Sequence, residues 1–479
     1  MSNAISAHAL KTKASFHTPG HKGLSWQADG SFAFDCFLKE DVSESVPGMD
    51  ELAYPAGIIA DVETGAARAW DSNCSLLSVN GATAGIIASI LLLAKRGTHL
   101  LVPRNCHRSV IYGLILSGLK PIWFDTSWED GWGFWGPPNI SQLGDLLEKI
   151  HNSNEKTKTG DKINVAGIII TSPTYAGALA NIGSLSKLLE KYRFPLVVDE
   201  AHGAHLQWTQ QRTQAALVAG ADIVIHTLHK TLSCPTQIGI VHISHKGHKQ
   251  YGFTADELRS CLNLVMSSSP NYFFMSSVDK LVTALNSGRA QERIQLVEKL
   301  GERIQQFIKR QKQFELYQSD YGNVSTDFLI KHKEINAQKL HDLLAEKGIF
   351  TESILGQGLL FFLGIGSQQK DIDLLLTALD EYCLTNNDSP IKAVAYNGNA
   401  NLTKKPHPIE QIISPREAFF MPSHVVSPAT AIGEIAADVY APCPPGWPAL
   451  VPGQKITEEL LSLKNIKSVR IIKSNSING

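Results

Sequence analysis

"ADIVIHTLHKTLSCPTQIG", residues 221–239, is the stretch on which the fold turns. Ile223, Val224 and Ile225 make an apolar, β-branched run of the kind that fills a strand buried on both faces. That run delivers His229 and Lys230 into small and hydroxylated residues that show no helical periodicity. Lysine is ordinarily a solvated residue, so one at the mouth of a buried sheet is either incidental or a nucleophile.

Outward from this point the same grammar repeats. "HLLVP", "PIWF", "NVAGIIITSP", "FPLVVDEAH" and "IGIVHIS" read as further buried strands. "TAGIIASILLLAKRG", "SVIYGLILSGL", "SLSKLLEKYR" and "QAALVAG" lie between them with helical spacing and glycines near several ends. Alternation on this scale predicts an α/β domain with a mostly parallel sheet over residues 61–285. The amphipathic "SGRAQERIQLVEKLGERIQQFIKRQ", with "STDFLIKH", "NAQKLHDLLAEKG", "LLFFLGIG" and "DIDLLLTALDEYC", predicts a smaller α+β domain over 286–383. Residues 1–60 read as an N-terminal segment and 384–411 as a linker or long loop. Residues 412–479 read as a C-terminal part of the small domain, with a helix over "ATAIGEIAADVY".

The bulk numbers remove several classes of function. A chain of 479 residues with 43% hydrophobic and 19% charged residues is globular, and too long for one ordinary core. A formal net charge of -1 without basic blocks gives no electrostatic footprint for nucleic acid or a membrane surface. Seven scattered cysteines, none in a CxxC pair, argue against a disulfide framework. No apolar leader or membrane-length run is visible, so a cytoplasmic location is expected.

In open α/β sheets ligands bind beyond the carboxyl ends of the strands, where this chain places its unusual polar residues. "LSVNGATAG" offers the N–H groups of Gly81, Ala82 and Thr83 at a strand-to-helix turn, suited to a phosphate but matching neither nucleotide fingerprint. Its plainer reading is a helix capped by Thr83. His107, after "LLVP", could stack on a planar ring, bind metal or cap the next helix. "FPLVVDEAHGAH" ends a strand with Asp199, Glu200, His202 and His205. A carboxylate there is costly unless a cation answers it, either a metal or a protonated ring nitrogen. Lys230 stands at a strand end of the same sheet, with Thr227 before it and His229 adjacent. Phosphate turn, stacking ring, ring-nitrogen carboxylate and strand-end lysine together are what pyridoxal phosphate requires.

With these residues in order, the chain resembles the ornithine/lysine/arginine decarboxylase family of fold-type-I pyridoxal-phosphate enzymes, in its short bacterial form. The likeness runs through "FHTPGHKG", "SVNGATAG", "VPRNCHRSVIYGLILSG", "TSPTYAG", "VVDEAHGAH", "HTLHKTLSCPTQ" and "YAPCPPGWPALVPG". It implies an aspartate-aminotransferase-like large domain and decarboxylation of arginine, lysine or ornithine. It gives Lys230 the Schiff base, Asp199 the pyridine nitrogen, His107 the ring stack and His229 a place near the reacting carbon. Gly81, Ala82, Thr83 and Thr227 fall where the family binds phosphate, and Ala201 and His202 on the cofactor's other face. Ser268, in "SSSPNY", falls where a neighbouring subunit reaches the pocket, which implies at least a homodimer sharing its active sites. Two departures stand out: Ala82 lacks a hydroxyl common in the turn, and Gln454 replaces the glutamate that usually ends the C-terminal motif. An acidic residue there would suit a substrate with a distal positive charge.

No metal is expected on this reading, and the partner is a small amino acid. Three alternatives use the same residues: an aminotransferase or aldolase-like lyase, a hydrolase with metal on Asp199, His202, His205 and His226, and a degenerate regulatory decarboxylase.

Overall fold

The computed structural model describes residues 13–16, 50–156, 162–384, 405, 408–442, 446–458, 460 and 466–473. "FHTPGHKG" beyond Phe16 and nearly all of the expected 384–411 linker lie outside them. Seven strands form the central sheet: β1 (Cys74–Ser78), β2 (His99–Pro103), β3 (Lys120–Phe124), β4 (Val165–Thr171), β5 (Leu196–Asp199), β6 (Ile223–Thr227) and β7 (Gly239–Ile243). Their order is β1-β7-β6-β5-β4-β2-β3, with β7 antiparallel to both neighbours and every other pairing parallel. The sheet is therefore mostly parallel, and all six runs quoted above are strands of it.

Helix α1 (Ile58–Trp70) packs across one face, while α2 (Gly81–Ala94) and α3 (Arg108–Ser117) cover the other. Ten of the fourteen α2 residues are buried, as befits a helix apolar on nearly all sides. That burial anchors the amino end of α2 over the carboxyl ends of β1 and β6 and the amino end of β7. Gly239 makes the approach possible, because a Cβ there would meet Ala82 N at 2.8 Å and Gly81 C at 2.9 Å.

A second, antiparallel sheet of order β8-β9-β11-β10 comprises β8 (Phe314–Leu316), β9 (Asp327–His332), β10 (Ser353–Leu355) and β11 (Gly358–Phe362). The 22-residue α4 (Arg289–Arg310) lays Ile294, Val297, Leu300, Ile304 and Ile308 inward, the three- and four-residue steps of an amphipathic helix. Ala14–Ser15 adds in parallel to Ile349–Phe350, with Phe16 fully buried beside this sheet.

Two details correct the sequence reading, and a third describes the C-terminal segment. Residues 228–231, expected to lack helical character, form a single helical turn carrying His229 and Lys230. Of "ATAIGEIAADVY" only residues 429–431 are helical, within a short helix over Pro428–Ala431. Gly433 then takes a left-handed φ of 87°, and the backbone of Ala436 and Ala437 pairs with Gln454 and Arg470 instead of continuing the helix. The segment after residue 411 has its own small core and docks on α3, where Arg416 donates to the carbonyls of Ile115 and Leu116 at 3.0 and 2.8 Å. It does not extend the β8–β11 sheet.

Candidate active site

Adjacent carboxyl ends of β5 and β6 carry the two decisive side chains. Asp199 is the last residue of β5 and is 4% exposed; Thr227 ends β6 and leads into the turn bearing Lys230. Burial pushes the Asp199 carboxyl upward, and the Lys230 ammonium, the Ala201 N–H at 3.2 Å and His226 oppose that shift. Lys230 Nζ lies 2.8 Å from His202 Nε2. Burial drives His202 strongly toward its neutral form, and Lys230 and His229 reinforce the effect. A neutral imidazole with its Nε2 lone pair toward Lys230 is thus the favoured arrangement.

His202 is held from three sides. The Tyr175 ring stands edge-on at 5.6 Å and Phe362 at 4.8 Å, while Asp327 Oδ2 approaches Nδ1 at 3.8 Å. Asp327 opens β9, so the second sheet supplies a group directly behind the site. Asp327 is not evident as a site residue from the sequence. Its one signal was a carboxylate at the head of a buried apolar strand, "DFLIKH", read only as a strand.

His107 caps α3, accepting from Ser109 N at 3.3 Å, and so fulfils one of its three readings. Its pKa is lowered to about 4 by burial, with Lys230 contributing, which places it within electrostatic reach of the lysine. The proline-rich tail touches it: Gly446 O accepts from Arg108 N at 3.0 Å, and a Cβ on Gly446 would come within 2.8 Å of His107 Cδ2. The tail therefore reaches its own chain's site.

After β1, Gly81–Thr83 form the first turn of α2 rather than a loop before it. Thr83 does not cap the helix. Asn80 stands at the cap position without capping, because its Oδ1 accepts from Ser267 N at 3.2 Å. The first amides are left free of a side-chain cap, as a phosphate-binding helix end requires. Ser268 is exposed beside this turn of its own chain. Ala201 and Thr227 are buried at the strand ends and His229 is half-buried. Gln454 is 2% exposed and spends its Oε1 on Val451 N at 3.2 Å, closing its own turn. The four ligands of the metal alternative are engaged separately: Asp199 with the Ala201 N–H, His202 with Lys230, His205 with Thr326, and His226 with Glu200.

An uncapped helix end, a buried strand-end carboxylate and a lysine in one sheet have the arrangement of a fold-type-I pyridoxal-phosphate enzyme. The donor set fits the cofactor, with an acidic partner for a ring nitrogen and an amine in reach. Comparison with known proteins agrees. Residues 1–330 match the model of the Orn/Lys/Arg decarboxylase major domain. The chain is 28% identical over 461 residues to the uncharacterized protein YaaO of Bacillus subtilis, covering 95% of this chain and 91% of that one. It is 26% identical over 478 residues to an arginine decarboxylase of Bacillus anthracis, covering 97% and 92%. The Francisella novicida lysine decarboxylase LdcF superposes with a TM-score of 0.75 at 18% identity, over 94% of this chain and 79% of that one. The chain belongs to the Orn/Lys/Arg decarboxylase family, and is a pyridoxal-phosphate-dependent amino-acid decarboxylase. Among the described residues no helix is long and apolar enough to cross a membrane.

Proposed function

We propose that this enzyme decarboxylates arginine, lysine or ornithine to the corresponding amine, and that Lys230, His229 and Asp199 carry the reaction. The observation that supports the assignment best is Lys230 at 2.8 Å from the neutral imidazole of His202, next to buried Asp199. Lys230 would hold the cofactor, with Asp199 facing its ring nitrogen and His107 and Ala201 flanking the ring. The first-turn amides of Gly81–Thr83, with Thr227 and Ser268, would take its phosphate. When bound, pyridoxal phosphate supplies an electron sink for the pair left by departing carbon dioxide.

The chain's own residues do the rest. His202 accepts a hydrogen bond from Lys230 and keeps Nζ aimed into the site. His229 or Lys230 returns a proton to the substrate carbon. Burial of Asp199 and His202 excludes water that would otherwise compete for that proton. A homodimer with shared sites is part of the proposal, supported by the family resemblance around Ser268.

The test is borohydride reduction of the yellow protein, peptide mapping, and a panel of amino acids scored for carbon dioxide. Label on Lys230 with carbon dioxide from a basic amino acid is the expected result. Label elsewhere, or keto acid as product, would overturn it. Sedimentation should show a dimer; a monomer that turns over at full rate would contradict the shared site.

A further inference from the structure

Behind the site runs a buried chain of polar side chains that decarboxylation does not use. Glu200 Oε2 lies 2.8 Å from His226 Nε2, His226 Nδ1 lies 3.0 Å from His242 Nε2, and His242 Nδ1 lies 2.6 Å from Ser75 Oγ. Ser75 Oγ is 2.8 Å from Ser72 Oγ, which donates to Cys74 O at 3.1 Å. None of Glu200, His226, His242 and Ser75 exceeds 2% exposure. Trp70 covers both imidazoles, with ring centroids 5.7 and 5.2 Å away. Glu200 Oε1 accepts from Ala216 N at 2.9 Å. The chain bridges β5, β6, β7 and β1, and it starts one residue after Asp199.

Its polarity can be read from the far end. Ser72 has one proton for two acceptors, Cys74 O and Ser75 Oγ; given to the carbonyl, which cannot donate, it leaves Ser72 accepting from Ser75. Ser75 then has no proton for His242, and His242 must donate from Nδ1. His242 Nε2 is therefore an acceptor, and His226 must donate from Nδ1. That leaves the Glu200–His226 contact with one proton of its own between two basic atoms. Such a pair is neutral as a unit. The opposite polarity, with Ser75 donating inward, would end on a Glu200 carboxylate that accepts from a neutral His226 and carries a full negative charge. That would set a second buried anion beside Asp199, where it would favour protonation of the very carboxylate the cofactor needs charged.

We propose that Glu200 and His226 are positioning residues that share one proton, so that they clamp the strand ends bearing Asp199 and Lys230 while adding no net charge next to Asp199. The proposal rests on the decarboxylase reading for its purpose, but its chemistry is tested separately. Burial favours the uncharged form of both Glu200 and His242, in keeping with it.

The experiment is nitrogen NMR of histidine-labelled holoenzyme, wild type against Glu200→Gln. In the variant, Ala216 N–H holds the amide oxygen, so the amide nitrogen must donate to His226. This enforces the inferred polarity without a titratable proton. The expected result is a His242 proton on Nδ1 in both proteins, with unchanged shifts. Carbon dioxide release by the variant should stay within about tenfold of wild type, the scale of one altered hydrogen bond. A His242 proton on Nε2 in wild type that moves to Nδ1 in the variant would overturn the proposal. If the variant fails to fold, the wild-type tautomer alone decides, with Nε2–H the refuting outcome. A wild type that releases no carbon dioxide from any amino acid would sink the functional reading and leave the tautomer result standing.

Discussion

At the scale of single residues, the site depends on groups held neutral by burial beside groups held charged by partners. Lys230→Ala should abolish steady carbon dioxide release; a variant retaining wild-type turnover would remove the lysine from the mechanism. Asp327→Asn keeps the shape of the side chain but loses its negative charge behind His202 Nδ1. A roughly tenfold fall in kcat with little change in fold is expected, checked by steady-state kinetics and circular dichroism.

His205 gives a pH signature. It is 3% exposed and its pKa is lowered to about 4 by burial, with Nδ1 lacking a hydrogen-bond partner among the described residues. An unfolded histidine titrates near 6.5, so between about 6.5 and 4 the unfolded chain takes up a proton that the native one refuses. Stability is unaffected above that window and falls with pH inside it, by at most about 3 kcal/mol from this group. His205→Gln should flatten the loss of Tm between those pH values; an unchanged slope would mean that His205 is not buried in its neutral form.

Elements were legible in proportion to how local their causes are. The runs at Ile223–Thr227 and Leu196–Asp199 are apolar because both faces of the sheet are covered, and that alone identified them as strands. The helical turn at Leu228–Thr231 was not legible, since four residues are too few to show a period. The tail helix failed for the opposite reason, a good local pattern overridden by pairing with Gln454 and Arg470. The placement of Asp199, Lys230 and His107 at or just beyond the ends of strands could be read from sequence, because strand ends announce them. The place of Asp327 beside His202 could not, because that meeting depends on how two sheets pack.

The turn at the head of α2 yields the prediction of this scale. Gly239→Ala would drive a methyl group onto backbone atoms of Gly81 and Ala82, which cannot swing away as a side chain can. A stability loss of roughly 1–3 kcal/mol, the usual range for overpacking, should accompany weaker cofactor binding. Thermal unfolding and absorbance titration would measure the two, and normal cofactor affinity would show that the turn does not bind phosphate.

Across the whole molecule, chain segments far apart in sequence converge on one place. The C-terminal segment is pinned by Arg416 to two α3 carbonyls, and α3 is the helix His107 caps. Arg416→Ala should increase proteolytic nicking after residue 411 and lower cofactor affinity; unaltered protection would place the anchor elsewhere.

The contact of His202 with Lys230 on one side and Asp327 on the other has a mechanical consequence. The Lys230 amine is linked, through one imidazole, to the seam between the two sheets. Whatever draws the amine away slackens that seam, and whatever wedges the seam apart unmoors the amine. Hydrogen exchange along β9 should therefore respond to occupancy of the site.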